Sequence, residues 1–289
     1  MGTRAALKAW FEPRRPLYPW RGERDPYRIL VSEVMLQQTQ AARVVPYYVA
    51  FVGRFPDPAA LAAASRADVL RAWAGLGYNR RAVALHRAAR AVVERHDGVI
   101  PCERAELQAL PGVGPYTAAA VASIAFGRPV PAIDTNARRV VARARLGAEP
   151  HEVAARQVRE AAGSWLDRAD PGSWNQAVMD LGRERCRPAP RCEDCPLAAW
   201  CRFRLAGRRA SPGRGQRSGR FEGSNRQVRG QVVAGLLKGG SATMGSLAAS
   251  AGLPLGRMTG VVEGLVADGL VAAGSAALAG RAGGRVRLP

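Results

Sequence analysis

The chain has 289 residues, 47% of them hydrophobic, which is enough for a sizeable core and for more than one domain. It carries 43 Lys and Arg against 23 Asp and Glu, a net charge of +20. A charge of that size points to a polyanionic partner, because each phosphate contact gains from counterion release. No apolar run is long enough to span a bilayer, and the stretch from Met1 to Trp10 has no apolar signal core. That argues against a membrane or secreted protein, so a cytoplasmic, nucleoid-associated one is expected.

No basic amphipathic helix with an aromatic edge stands out, so nucleic acid is favoured over anionic lipid. Most of the chain up to Leu205 reads as helix with short connections. Asp25 and Pro26 cap and open a helix running through Gln38. Ser65, with Asp68 three residues on, starts another that reaches about Trp73. Further helices are predicted over Asn79 to His96, Tyr116 to Phe126, Asp134 to Leu146, Glu152 to Leu166 and Trp174 to Leu181. Strand-like alternation is nearly absent, so this region is predicted to be all-α. From Gly207 to Ser224 the chain is rich in Gly, Arg and Ser, with five arginines, and reads as a basic linker. Helices follow at Asn225 to Leu237, Met244 to Ala251 and Leu255 to Ala267, with strands at Leu270-Val271 and Val286 to Leu288. This order resembles a winged helix; a small helical cap is the alternative.

Four stretches carry chemistry. Glu33 lies in Ser32 to Gln40 among Ile29, Leu30, Val34 and Leu36. A carboxyl in apolar surroundings has a raised pKa and can serve as a general acid; alternatively it is a solvated glutamate on an amphipathic helix. In Leu110-Pro111-Gly112-Val113-Gly114 two glycines precede an apolar helix. They permit a tight turn and bare amides at a helix start, which suits a phosphate oxygen; an ordinary turn between helices is the plainer reading. Asp134, in Pro131 to Val140, is placed as an N-cap and equally as a carboxylate facing a developing cation. Cys186, Cys192, Cys195 and Cys201 have x5, x2 and x5 spacings, with arginines on all sides. Four thiolates so close can ligate a [4Fe–4S] cluster or a structural zinc; two separated C-x2-C pairs would favour zinc, and only the central pair has that spacing. Cys102 stands apart and reads as a free thiol.

Taken together, Trp20-Arg21, Asp25-Pro26-Tyr27, Ser32 to Gln40, Gly75 to Tyr78, Leu110 to Thr117, Asp134 to Asn136, Met179 to Gly182 and the cysteine array resemble, in this order, adenine DNA glycosylases of the MutY type. These belong to the helix–hairpin–helix, Gly/Pro…Asp superfamily that includes endonuclease III. The resemblance covers roughly residues 5 to 205. It implies an all-α, two-domain glycosylase module over 1–205. A six-helix barrel would span about 25–131, and a cluster domain would combine 1–24 with 132–205. A linker over 206–224 and the winged-helix-like domain over 225–289 would follow. Two departures stand out. The first cysteine spacing is x5 where the family more often has x6, and a short basic domain replaces the long β-rich domain that reads 8-oxoguanine in many members.

The resemblance also implies a function: monofunctional removal of adenine opposite 8-oxoguanine or guanine in double-stranded DNA, by a monomer holding a [4Fe–4S] cluster on Cys186, Cys192, Cys195 and Cys201. Glu33 would protonate adenine N7, Asp134 would stabilise the oxocarbenium-like sugar, and Tyr116 and Asn136 would hold both in place. Trp20, Arg21 and Leu36 would line the base pocket, Gln38 and Tyr78 would be the wedge, and Gly112, Val113 and Gly114 would grip the backbone. In relatives that cleave the strand, a lysine occupies the position of Tyr116. Two alternatives stay open: a thymine or uracil mismatch glycosylase, which would not need Glu33, and a non-enzymatic iron–sulfur DNA-binding regulator, which would not need Glu33 and Asp134 together.

Overall fold

The computed structural model describes residues 2–211 and 222–289, so residues 212–221 of the expected linker lie outside the described residues. The chain forms two compact units, one of Met1–Glu33 with Ile100–Gln216 and one of Val34–Val99 with Arg217–Pro289.

The first unit is built on the helix Pro171–Glu184, which is buried on nearly every face. Asp170 starts it by accepting a bond from the Ser173 amide, with Pro171 at the first helical position. Against it pack Thr3–Phe11, Pro115–Phe126 and Thr135–Val141. Thr135–Val141 continues into a π-helical turn, Ala142–Leu146. Leu7, Phe11, Val140, Val158, Trp165, Trp174 and Leu181 share one core, and Cys186, Cys195 and Cys201 lie against it. Each fully buried Leu or Phe contributes about 1.5–3 kcal/mol. Asn175, 1% exposed, pins the segment leading to Asp134. Its Oδ1 accepts from the Ala132 amide at 2.8 Å, while Nδ2 donates to Val130 O and Ser123 Oγ, both at 2.9 Å.

In the second unit, the helices Ala41–Arg54, Pro58–Ala63, Arg66–Ala72 and Arg80–His96 pack around Phe51, Leu61, Trp73 and Val92. The C-terminal part has the helices Asn225–Gly239, Met244–Ala251, Leu255–Ala267 and Ser275–Leu278. Three strands, β1 (Ser241–Thr243), β2 (Ala272–Ala273) and β3 (Arg285–Arg287), form an antiparallel sheet in the order β1-β3-β2. Asp268 ties this part to the helix Arg80–His96: it pairs with Arg80 at 3.1 Å and also with Arg229.

The predicted helices are present with shifted ends. The first stops at Leu36 rather than Gln38, because the backbone turns left-handed at Gln38. The helix predicted from Glu152 starts at Ala155, after a 3₁₀ turn over Pro150–Glu152. The strands sit at 272–273 and 285–287 rather than 270–271 and 286–288, and β1 was not foreseen. Leu270 and Val271 are 3% exposed and belong to the core instead.

Candidate active site

Glu33 is 5% exposed near the end of its helix and belongs to the first unit. Tyr116, on the first turn of Pro115–Phe126, donates its hydroxyl to Glu33 Oε2 at 2.8 Å, and the Tyr116 hydroxyl oxygen lies 2.9 Å from Met179 Sδ. Burial pushes the Glu33 carboxyl above its ordinary value, opposed by the Tyr116 bond and the Arg21 charge and reinforced by Asp134 and Asp180. Burial likewise holds the Tyr116 phenol well above its usual value.

Asp134 is the N-cap of Thr135–Val141: Oδ1 accepts from the Ala137 amide at 2.6 Å and Oδ2 from Asn136 Nδ2 at 2.9 Å. Burial raises its carboxyl, and the bonds from Ala137 and Asn136 and the Arg139 charge counter it. Arg139 braces this cap. Its Nη2 donates to Asn136 Oδ1 at 2.8 Å and to Gly182 O at 2.7 Å, and its Nε donates to the Cys186 carbonyl. Thus a single side chain ties the Asp134 cap to the cysteine loop.

Trp20 is 3% exposed and stacks on Tyr18 at 5.2 Å. Arg21 pairs with the buried Asp180 at 2.7 Å, and Arg183 reaches the same oxygen at 3.2 Å. Met179 to Gly182 thereby acquires roles that the sequence did not reveal. Met179 meets Tyr116 and Asp180 anchors Arg21. A Cβ on Gly182 would come 2.7 Å from Asn136 Cβ, so only glycine lets the two helices approach. The signal that could have exposed these residues was spacing: positions 179, 180 and 182 cover adjoining faces of one helix.

In the hairpin, Gly112 has φ +77°, which favours glycine, whereas Gly114 has an ordinary φ and open space where a Cβ would be. The expectation that both glycines serve the turn is therefore corrected. Gly114 is dispensable for the fold, and its bareness leaves the amide end of Pro115–Phe126 open to close approach by a ligand. Val113 is buried at 6% and anchors the turn from inside.

Leu36, Gln38 and Tyr78 belong to the second unit. Gln38 and Tyr78 both adopt left-handed φ, +56° and +49°, which costs a non-glycine residue about 1–3 kcal/mol and clusters at functional sites. Arg81, unforeseen in the sequence, holds both turns. It donates to the carbonyls of Val34, Met35 and Gln37 at 2.6–2.9 Å and to Thr39 Oγ1 and Gly77 O at 3.1 Å. Gln38 and Tyr78 line one groove of about 820 Å³ with Arg80, Arg226, Arg229, and an apolar floor that includes Val233.

The four clustered cysteines line one cavity of about 210 Å³ together with Arg143, Arg191, Arg204 and Arg208. Arg143 is buried, pairs with Glu149 at 3.0 Å and donates to the carbonyls of Arg187 at 2.6 Å and Pro188 at 3.1 Å, which shapes the x5 loop. Among the described residues, no three Cys, His, Asp or Glu side chains converge as a single metal ion requires. Cys102 is free, with Arg128 3.4 Å from its sulfur.

Residues 31–166 match the model of the HhH-GPD superfamily base excision DNA repair proteins. An adenine DNA glycosylase of Mycobacterium tuberculosis is 44% identical over 232 residues, covering 78% of this chain and 76% of that one. Among solved structures, a thermostable thymine-DNA glycosylase aligns with a TM-score of 0.65 at 29% identity, over 70% of this chain and 94% of that one. A trapped endonuclease III–DNA covalent intermediate aligns at 0.59 and 23% identity, over 71% and 96%, a likeness of fold alone.

Proposed function

We infer the chemistry of this site from the premise that the chain belongs to the adenine DNA glycosylase family. It is a base-excision repair enzyme that hydrolyses the N-glycosidic bond of adenine mispaired with guanine or 8-oxoguanine. The target must leave the stack first, because its reacting atoms are unreachable inside a duplex. Glu33 then protonates N7, so that adenine departs as a neutral base. Asp134 faces the sugar as positive charge grows on it, and water completes the reaction, in the manner of two-carboxylate glycoside hydrolysis. The observation that carries this reading is the buried Glu33 carboxyl held by Tyr116 at 2.8 Å, beside a second carboxylate, Asp134, whose charge it feels.

Gln38 and Tyr78 act as the wedge, and the left-handed backbone at both supports that role. Trp20 and Arg21 line the base pocket, while Gly112 to Gly114 grip the backbone of duplex DNA. Tyr116 is a hydroxyl donor rather than an amine, so base removal proceeds without a Schiff base and the enzyme is monofunctional. The four-cysteine cavity and its arginines fit a [4Fe–4S] cluster, anionic with its thiolates. When bound, the cluster supplies a rigid scaffold for the loop from Cys186 to Cys201 and takes no part in hydrolysis.

The test uses duplexes carrying A, T or U opposite G or 8-oxoguanine, incubated with protein and then treated with alkali to reveal abasic sites. Adenine release is expected. Thymine release with adenine untouched would establish the mismatch-thymine alternative, and no abasic product from any duplex would leave the regulator. Iron analysis of the purified protein is expected to find about four irons per chain, whereas stoichiometric zinc without iron would exclude the cluster.

A further inference from the structure

The C-terminal part of the second unit has three helices, Asn225–Gly239, Met244–Ala251 and Leu255–Ala267, ahead of β2, and in such an arrangement the third helix is the usual reader of a DNA groove. Here that helix, Leu255–Ala267, is ill-suited to the task. Its exposed positions are Gly256, Arg257, Gly260, Glu263 and Ala267. The glycines and Ala267 offer no polar side chain, Glu263 repels phosphate, and Arg257 donates to the Gly223 carbonyl at 3.0 Å.

The sheet presents the opposite chemistry. β3 is its central strand, and alternation turns Val286 inward, 0% exposed, while Arg285 and Arg287 both point to solvent on the other face. Directly paired neighbours share a face. Thr243 stands across from Arg285, and Ser241 and Ala272 flank Arg287. These neighbours are small and uncharged, so among the described residues the two guanidinium groups are neither crowded nor neutralised. Arg281, in the turn before β3, is exposed as well. From Asn225 onward the carboxylates are Glu263, out on the third helix, and Asp268, engaged by Arg80 and Arg229.

We propose that this sheet face, through Arg285 and Arg287 with Arg281 beside them, binds the phosphate backbone of duplex DNA, and that the third helix does not read bases. The proposal rests on the enzyme acting on DNA, as inferred above. Two residues apart on a strand spans about 6.8 Å, so the two side chains can engage separate phosphates. The contact would add affinity without sequence preference.

Binding of the full-length protein to a duplex with an 8-oxoguanine·A pair, measured across a salt series, tests this. Each phosphate contact contributes about 0.9 to the slope of log K against log salt. Arg285→Ala and Arg287→Ala are each expected to lower the slope by about 1 and the double variant by about 2, with single-turnover adenine release at saturating protein unchanged. Arg257→Ala should leave the slope as it is. An unchanged slope in the double variant, or an equal loss in Arg257→Ala, would overturn the proposal. Failure of the wild-type protein to release adenine, with the salt slopes as expected, would instead overturn the assigned activity and leave the DNA-binding face standing.

Discussion

At the scale of single residues, the proposed mechanism needs one carboxyl whose proton is held above the ordinary carboxylate range. Burial raises Glu33, and Tyr116 works against it by donating to the carboxylate. Glu33→Gln is expected to retain DNA affinity and lose at least ~100-fold in single-turnover rate, the lower range for removal of a general acid. Wild-type enzyme given 7-deaza-adenine should lose as much, since the proton acceptor is gone. The sign of the pH effect follows from the raised Glu33 value. The active acid is present at low pH and is lost as pH rises through that value, so the rate falls on the alkaline side. Tyr116→Phe removes a bond that stabilises the charged form, and the alkaline limb should move to higher pH; a limb displaced downward in the pH–rate profile would contradict this assignment. By linkage, the same group costs stability as pH rises from the ordinary carboxylate value towards the raised one, because the folded state retains the proton longer than the unfolded state.

Among the elements, the approach of Pro171–Glu184 to Thr135–Val141 fixes the Asp134 cap. Gly182 permits it, and Arg139 locks it by bonds to Asn136, Gly182 and Cys186. Gly182→Ala would drive a methyl group against Asn136 and force the helices apart. A loss of about 1–3 kcal/mol in unfolding free energy is expected, the range for overpacking, together with a lower single-turnover rate. Unfolding by denaturant and kinetics at saturating enzyme check the two effects separately. The Asp134 cap was legible in the sequence, because an aspartate before a helix has a local signature. The role of Arg139 was not, because its partners lie at positions 136, 182 and 186 and meet only after folding. The same holds for Arg81, which joins the turns at Gln38 and Gly77.

For the whole molecule, the charge is spread along the chain, and the region from Ala206 onward carries 12 basic residues against 3 acidic ones. Truncation after Leu205 is expected to flatten the salt dependence of DNA binding while single-turnover adenine release at saturating protein persists. If truncation abolished discrimination between 8-oxoguanine and guanine instead, the domain would be a lesion reader, and the groove it shares with Gln38 and Tyr78 would be the place to look.

The sequence by itself determined the elements whose signals are local: capped helices, the glycine of a left-handed turn, the clustered cysteines and the ordered motifs that mark the family. Its contiguous motifs made Glu33, Asp134 and Tyr116 candidates for function. Only the tertiary structure decided that Glu33 is buried, that Tyr116 bonds to it, that Gly112 but not Gly114 is needed by the hairpin, and that the arginines of β3 face solvent without an ion pair among the described residues, whereas Arg257 of the third helix donates to the Gly223 carbonyl. The physical reason is the range of the forces involved. Capping and turn preferences act over a few residues and leave their mark in the order of the chain. Burial, desolvation and pairing between charges are properties of neighbours brought from 80 or 160 positions away, such as Glu33 with Tyr116 and Arg21 with Asp180, and these exist only once the core has formed.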